Sequence, residues 1–123
     1  MNLSDHFYKY VFLTVAWLLS YFTPLFPLMF SIGILIFIDF ITGVQAAKKR
    51  GEEITSKKMR PTVTKGLGYM AALLAAHVFE NVIPGLESMK IVAGLIAVIE
   101  IKSLDENLRT ITGKSLFKQF TKR

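Results

Sequence analysis

Residues 28–47 form a run of twenty residues with a single charged side chain, Asp39, and the run ends at Lys48, Lys49 and Arg50. Twenty residues of α-helix rise about 30 Å, which is the thickness of the hydrocarbon core of a bilayer. The pattern therefore predicts a spanning helix that stops at a cytoplasmic cluster of positive charge. Because a carboxylate inside such a helix costs about 2.5–3.5 kcal/mol on insertion scales, Asp39 is the first candidate functional residue.

Three further apolar runs cover residues 7–22, 66–83 and 91–101. The last run is too short to span alone, so we extend its helix to residues 88–104. Pro24 and Pro27 predict a tight turn between the first two runs. With 52% apolar residues, the chain is predicted to be an all-α integral membrane bundle of about four transmembrane helices.

The positive charge of the chain is concentrated in two segments. Residues 48–65 carry seven basic residues and two glutamates, and residues 102–123 carry six basic and two acidic residues. The positive-inside rule places both segments, and hence both termini, in the cytoplasm. Because the basic residues flank membrane spans, a nucleic-acid partner is not expected. We therefore divide the chain into a transmembrane domain, 1–104, with a basic loop, 48–65, and a basic amphipathic tail, 105–123.

The tail has two interpretations. Its leucine, isoleucine and phenylalanine residues alternate with basic ones, which suits a helix resting on the anionic lipids of the inner leaflet. The same pattern suits a cytoplasmic oligomerisation helix. The sequence does not separate the two.

Three isolated acids lie in the apolar runs: Asp39, Glu80 and Glu100. Each shares a helix face with small residues, which allow helices to approach closely in lipid. The small residues at this spacing are Gly43, Ala47, Gly68, Ala72, Ala76, Ala93 and Ala97. We expect the acids to contact another helix or to line a pore, and the small residues to pack helices of a homo-oligomer or of one chain. His77 either donates a hydrogen bond to Glu80, one turn later, or is a packing residue.

Motifs for catalysis are missing from the sequence. It contains no GxSxG, HExxH or P-loop motif and no cysteine. We therefore predict no enzymatic activity, no catalytic residue, no cofactor and no metal site.

Residues 39–43, DFITG, followed by a basic stretch and then Thr55, Ser56 and Lys57, resemble the core signature of a bacteriophage holin family. Relatives in that family also occur beside clostridial toxin genes. The motif positions in this chain are Asp39, Thr42, Gly43, Ser56, Lys57, Lys65, Glu100, Ser103, Glu106 and Asn107. One departure is Arg60-Pro61-Thr62, which stands where such holins often have a glycine.

The resemblance implies a multi-pass protein of the bacterial inner membrane that oligomerises and opens a lesion. An endolysin or another exported protein, as an indirect partner, would then reach the cell wall. The alternative is an antiholin, or a scaffold or anchor for a secretion or defence complex, that opens no pore itself. A third possibility is an ion channel with a fixed narrow pore.

Overall fold

The computed structural model describes residues 2–121, and that range contains helices and no β-strand. The helices are α1 (Leu3–Phe22), α2 (Phe26–Lys49), α3 (Ser56–Val82), α4 (Ser88–Thr112) and α5 (Leu116–Thr121), with one 3-10 turn (Thr23–Leu25) between α1 and α2. The predicted all-α class is confirmed. The last two residues of the predicted tail, Lys122 and Arg123, lie outside the described range.

The ends of the bundle helices follow local sequence signals. The Thr55 hydroxyl accepts a hydrogen bond from the Lys58 backbone N–H and so caps the start of α3. Gly113 ends α4 with a φ of 73°, a conformation that favours glycine. α4 begins at Ser88, as predicted, and continues past Leu104 to Thr112, so the boundary predicted between residues 104 and 105 falls inside it.

Helices α2, α3 and α4 form a three-helix bundle. Its core is small and consists of Leu25, Ile32, Leu73 and Ile96. Helix α4 runs parallel to α2, because Asn107 contacts Asp39 and Ile111 contacts Lys49. Helix α3 runs antiparallel to both of them.

Helix α1 lies outside this bundle, and every residue from 2 to 20 is exposed. The predicted tight turn is wrong, because the backbone at Phe22, Thr23, Leu25 and Phe26 stays in the right-handed helical region. Pro24 and Pro27 each fall at the first or second position of a helical segment, where a missing N–H costs no hydrogen bond. Helix α1 therefore continues into α2 without folding back on it.

One helical run among residues 2–121, Leu3–Lys49, is long and apolar enough to cross a bilayer, with a mean hydropathy of 2.2 over its best window. Helices α3 and α4 do not reach this level; α3 carries its charged residues mainly in its first half and α4 mainly in its second half. The four predicted spans are thus supported only as four long helices. We call residues 26–38, 66–82 and 88–99 the apolar half of the bundle, and residues 39–49, 56–65 and 100–112 its polar half.

Candidate functional site

Asp39 and Glu100 meet through a single lysine where the two halves of the bundle join. The Lys65 ammonium lies 2.8 Å from Asp39 Oδ2 and 3.0 Å from Glu100 Oε2. Asp39 is 7% exposed and Glu100 is 1% exposed, whereas 27% of the Lys65 side chain remains exposed. Each of the three helices of the bundle supplies one of these charges.

The remaining carboxylate oxygens also have donors. The Asn107 amide donates to Asp39 Oδ1 over 3.0 Å, and the Tyr69 hydroxyl donates to Glu100 Oε1 over 2.8 Å. We call these five residues, Asp39, Lys65, Tyr69, Glu100 and Asn107, the ionic cluster. All four carboxylate oxygens in it accept a hydrogen bond or an ion pair, as buried charges require.

The spacing of the DFITG segment is explained by Asn107. Its amide nitrogen also lies 3.2 Å from the Asp39 carbonyl oxygen and 3.2 Å from the Thr42 hydroxyl. A Cβ atom on Gly43 would lie 3.5 Å from the same nitrogen. Asp39, Thr42 and Gly43 therefore form one α2 surface that fits the Asn107 side chain of α4.

The charges of the ionic cluster do not balance. With all groups ionised, two carboxylates face one ammonium, which leaves a net charge of −1. Removing Lys65 would leave two buried carboxylates without a cation, and removing one carboxylate would leave one ion pair with balanced charge. Within residues 2–121, no three acidic or histidine side chains are grouped so as to hold a metal ion.

A cavity of about 450 Å³ connects the ionic cluster to the α2–α3 loop. Asp39, Ser103 and Asn107 line its floor. At its rim, Glu52 accepts from Arg50 Nε over 2.8 Å and from Lys58 Nζ over 3.1 Å. We call Arg50, Glu52 and Lys58 the rim cluster. The hydrogen bonds from Arg50 and then Lys58 lower the pKa of Glu52 to about 2.

Glu80, the third predicted acid, is not part of the ionic cluster. Its carboxylate accepts a hydrogen bond from the Met89 backbone N–H over 2.9 Å, at the start of α4. It lies fifteen residues after Lys65 on α3, a rise of about 22 Å. In this structure Glu80 caps the first turn of α4, and its predicted place at a pore remains a prediction.

The predicted small residues fall into two groups. Ala47 and Ala76 are buried, and Gly43, Ala93 and Ala97 are half-buried within the bundle. Gly68 and Ala72 are exposed, and a Cβ on Gly68 would meet nothing within 4 Å. Packing by these last two against another chain therefore remains a prediction. The fully buried Ala46 was not predicted.

His77 does not bond to Glu80, so of the two alternatives for this residue the structure favours packing. The ring Nε2 lies 2.8 Å from the Tyr21 carbonyl oxygen, while Nδ1 is buried with no partner among the described residues. Because a carbonyl only accepts, Nε2 must carry the proton. The ring also lies against Tyr21 and Phe22, with ring centroids 4.9 and 5.6 Å away. His77 thus attaches the end of α1 to the bundle.

Two polar contacts of the bundle are not predicted from the sequence. Tyr69 follows Lys65 by four residues, so helical spacing alone placed it on the same face. Asp105 is 9% exposed and accepts hydrogen bonds from the Ser115 hydroxyl, over 2.8 Å, and from the Leu116 backbone N–H. It thereby fixes the start of α5. Three motif positions, Ser56, Lys57 and Glu106, are exposed and lie outside the ionic cluster.

These features describe a small helical protein that has an apolar run long enough to span a membrane and an ionic cluster between its helices. Within this class, the chain belongs to the bacteriophage holin family, whose model matches residues 14–121. The resemblance expected from the sequence is therefore confirmed. Comparisons with curated proteins and with solved structures gave no match. This family is one of non-enzymatic membrane proteins.

Proposed function

We propose that the protein is a holin of the bacterial inner membrane that oligomerises and opens a lesion for an endolysin or another exported protein. Family membership supports the general function. The main support for the proposal is the ionic cluster. In it, one motif lysine, Lys65, pairs with two buried motif carboxylates, and each of the three residues belongs to a different helix. The rest of the proposal concerns how this cluster changes when chains assemble.

In the proposed closed state, the ionic cluster holds α2, α3 and α4 together within one chain. Breaking a buried ion pair costs about 3–5 kcal/mol, so the carboxylates stay paired until another interaction replaces Lys65. One charge moved across 100 mV is worth about 2.3 kcal/mol. Because these energies are comparable, loss of the membrane potential can shift the balance. Asp39 and Glu100 would then face a water-filled interior formed by several chains.

The proposed topology has four membrane helices, with both termini in the cytoplasm. In the structure α1 and α2 form one run of 47 residues, which would rise about 70 Å. Because this is more than twice the roughly 30 Å hydrocarbon core, the proposed topology requires the run to bend at Pro24 and Pro27 in the bilayer. The chain has no native cysteine, so single cysteines report location cleanly. With a membrane-impermeant maleimide on intact cells, we expect labelling of Glu87→Cys and protection of Ser4→Cys and Lys57→Cys. Labelling of Ser4→Cys would instead place the N-terminus outside and contradict the proposed topology.

Pore formation is tested with liposomes that contain only this protein and are loaded with a small dye and a folded protein. We expect release of both cargoes when the potential collapses. Asp39→Asn removes one charge of the ionic cluster, so it should shift the onset of release and the assembled size at equal protein density. Glu53→Gln, an exposed acid in the α2–α3 loop, is the matched control and should behave as the unmodified chain.

Three outcomes contradict parts of this proposal. Unchanged onset and size for Asp39→Asn would remove the ionic cluster from the mechanism. Absence of release at every potential would favour the antiholin or scaffold function. Release of the dye alone, with discrete conductance steps, would favour a narrow channel.

A further inference from the structure

A continuous apolar groove runs along the outside of α2 and α3 and adjoins the ionic cluster's cavity, with which it shares Phe40, Met59 and Thr62. Two hollows of about 560 and 330 Å³ share Gly33 and Phe37 and so join end to end. We call this the outer groove. It is lined by Met29, Gly33, Phe37, Phe40, Val63 and Met70.

The cytoplasmic end of the outer groove is basic. A third hollow, lined by Met59, Arg60 and Val63, shares Met59 and Val63 with the groove. Arg60 and its neighbour Lys57 are exposed and form no ion pair among the described residues. They also lie in the first turns of α3, where the helix dipole adds positive potential. The outer groove therefore ends beside two cations that form no ion pair among the described residues.

We propose that the outer groove binds one anionic phospholipid of the inner leaflet. An acyl chain lies along Gly33 and Phe37, and the phosphate of the headgroup pairs with Arg60 and Lys57. The identification of this ligand rests on two features. The apolar lining of the groove favours an acyl chain, and the unpaired cations at its end favour a negatively charged headgroup. This inference goes beyond the proposed function, because it requires α2 and α3 to lie in a bilayer and does not require a lesion.

The length of the outer groove fits one acyl chain. From Arg60 to Met70, α3 rises about 15 Å. This is half of the roughly 30 Å hydrocarbon core, so it equals the depth of one leaflet. A helix from a second chain would need no cations at one end of the groove, whereas a phospholipid places its only negative group there.

Gly33 lies where the two hollows meet, and its lack of a side chain leaves room there for an acyl chain. A Cβ at Gly33 would meet nothing within 4 Å, so the first atom of a side chain there enters the outer groove without touching the protein. Gly94, on α4, also has open space around it but lies outside the groove. Gly33→Leu and Gly94→Leu are therefore a matched pair of variants.

The test uses the full chain in nanodiscs of phosphatidylcholine with 20% phosphatidylglycerol, released for native mass spectrometry. We expect one phosphatidylglycerol retained per chain, preferred over phosphatidylcholine. Arg60→Gln should lower this retention about fivefold, since one basic residue near the lipid surface is worth about that factor. Gly33→Leu should lower it as well, because its side chain takes the place of the acyl chain in the groove. Gly94→Leu and Lys114→Gln, a basic residue outside the groove, should retain the lipid as the unmodified chain does.

Three results would overturn the inference: equal retention of phosphatidylcholine, unchanged retention in Gly33→Leu, or equal losses in Arg60→Gln and Lys114→Gln. The last result would mean diffuse attraction to the membrane surface. Dye release, measured on loaded liposomes that contain the same variants, separates failure of this lipid site from failure of pore formation.

A second measurement needs no variant and so does not depend on how a variant folds. Phosphatidylglycerol with a photoreactive group on its acyl chain should crosslink to peptides that contain Phe37 and Val63. Leu95 and Val98, which are exposed on α4, are the control surface. Equal crosslinking of both surfaces would show ordinary lipid contact and contradict a specific site.

Discussion

The ionic cluster and the rim cluster are opposites in charge at the two ends of one cavity. In the ionic cluster two carboxylates share one ammonium, and in the rim cluster one carboxylate is shared by two cations. The distances are alike, at 2.8–3.1 Å in both. Burial differs: Glu100 is 1% exposed, whereas the Glu52 side chain is 39% exposed. Similar contacts therefore have very different energetic weight.

The difference follows from solvation. Water replaces a lost partner at the rim, so an exposed ion pair contributes little to stability. Water has little access to Glu100, which is 1% exposed, so an unpaired carboxylate there keeps most of its desolvation penalty. The comparison separates the charges that hold the bundle together from those that only order a loop.

The largest expected effect is that of Lys65→Gln. Loss of the only cation leaves Asp39 and Glu100 buried together, and we expect the free energy of unfolding in detergent to fall by about 2–4 kcal/mol, the partial exposure of Lys65 placing it below a fully buried pair. Lys58→Gln removes a rim lysine and is the matched control, for which we expect no measurable change. Thermal or denaturant unfolding followed by circular dichroism measures both.

Equal effects of Lys65→Gln and Lys58→Gln would contradict the distinction between the two clusters. A triple variant, Asp39→Asn with Lys65→Gln and Glu100→Gln, sharpens it. If the loss comes from uncompensated charge, the triple variant should be more stable than Lys65→Gln alone.

A smaller effect is expected in the titration of Glu52. Its pKa of about 2, against an ordinary value of 4.5, means that the ionised carboxylate stabilises the loop. This contribution is present above pH 4.5 and is lost as the pH falls through about 2. Arg50→Gln removes the largest cause of the shift and should move the midpoint towards 4.5, as measured by carbon-13 NMR of glutamate-labelled protein. A midpoint near 4.5 in the unmodified chain would show that the rim cluster does not form in solution.

The sequence predicts the helical class well because its signals are local, but the predicted basic loop, 48–65, is wrong in its second part, since α3 begins at Ser56. Apolar runs predict the class, and in the structure Thr55 caps the start of α3 and Gly113 ends α4. The α1–α2 connection was predicted wrongly because proline is compatible with both a turn and the first turn of a helix. Here two prolines fall at such positions, and local sequence does not choose between the two outcomes.

The site is predictable only in part. The free-energy cost of placing an acid in an apolar span identifies Asp39 and Glu100 as candidate residues, but it does not indicate which group pairs with them. Lys65 was assigned to the basic loop, and its role depends on α3 beginning at Ser56 and bringing it beside two other helices. Similarly, Asp105 gave no signal, because its partners lie ten and eleven residues later.

The contact of Asp105 with Ser115 and Leu116 has a consequence for the basic end of the chain. Through these two hydrogen bonds the Asp105 carboxylate holds the start of α5 against the second half of α4. Phe117 and Phe120, both exposed, are consequently presented from a fixed anchorage on the bundle. A change in the tilt of α4 within an assembly would therefore also move Phe117 and Phe120.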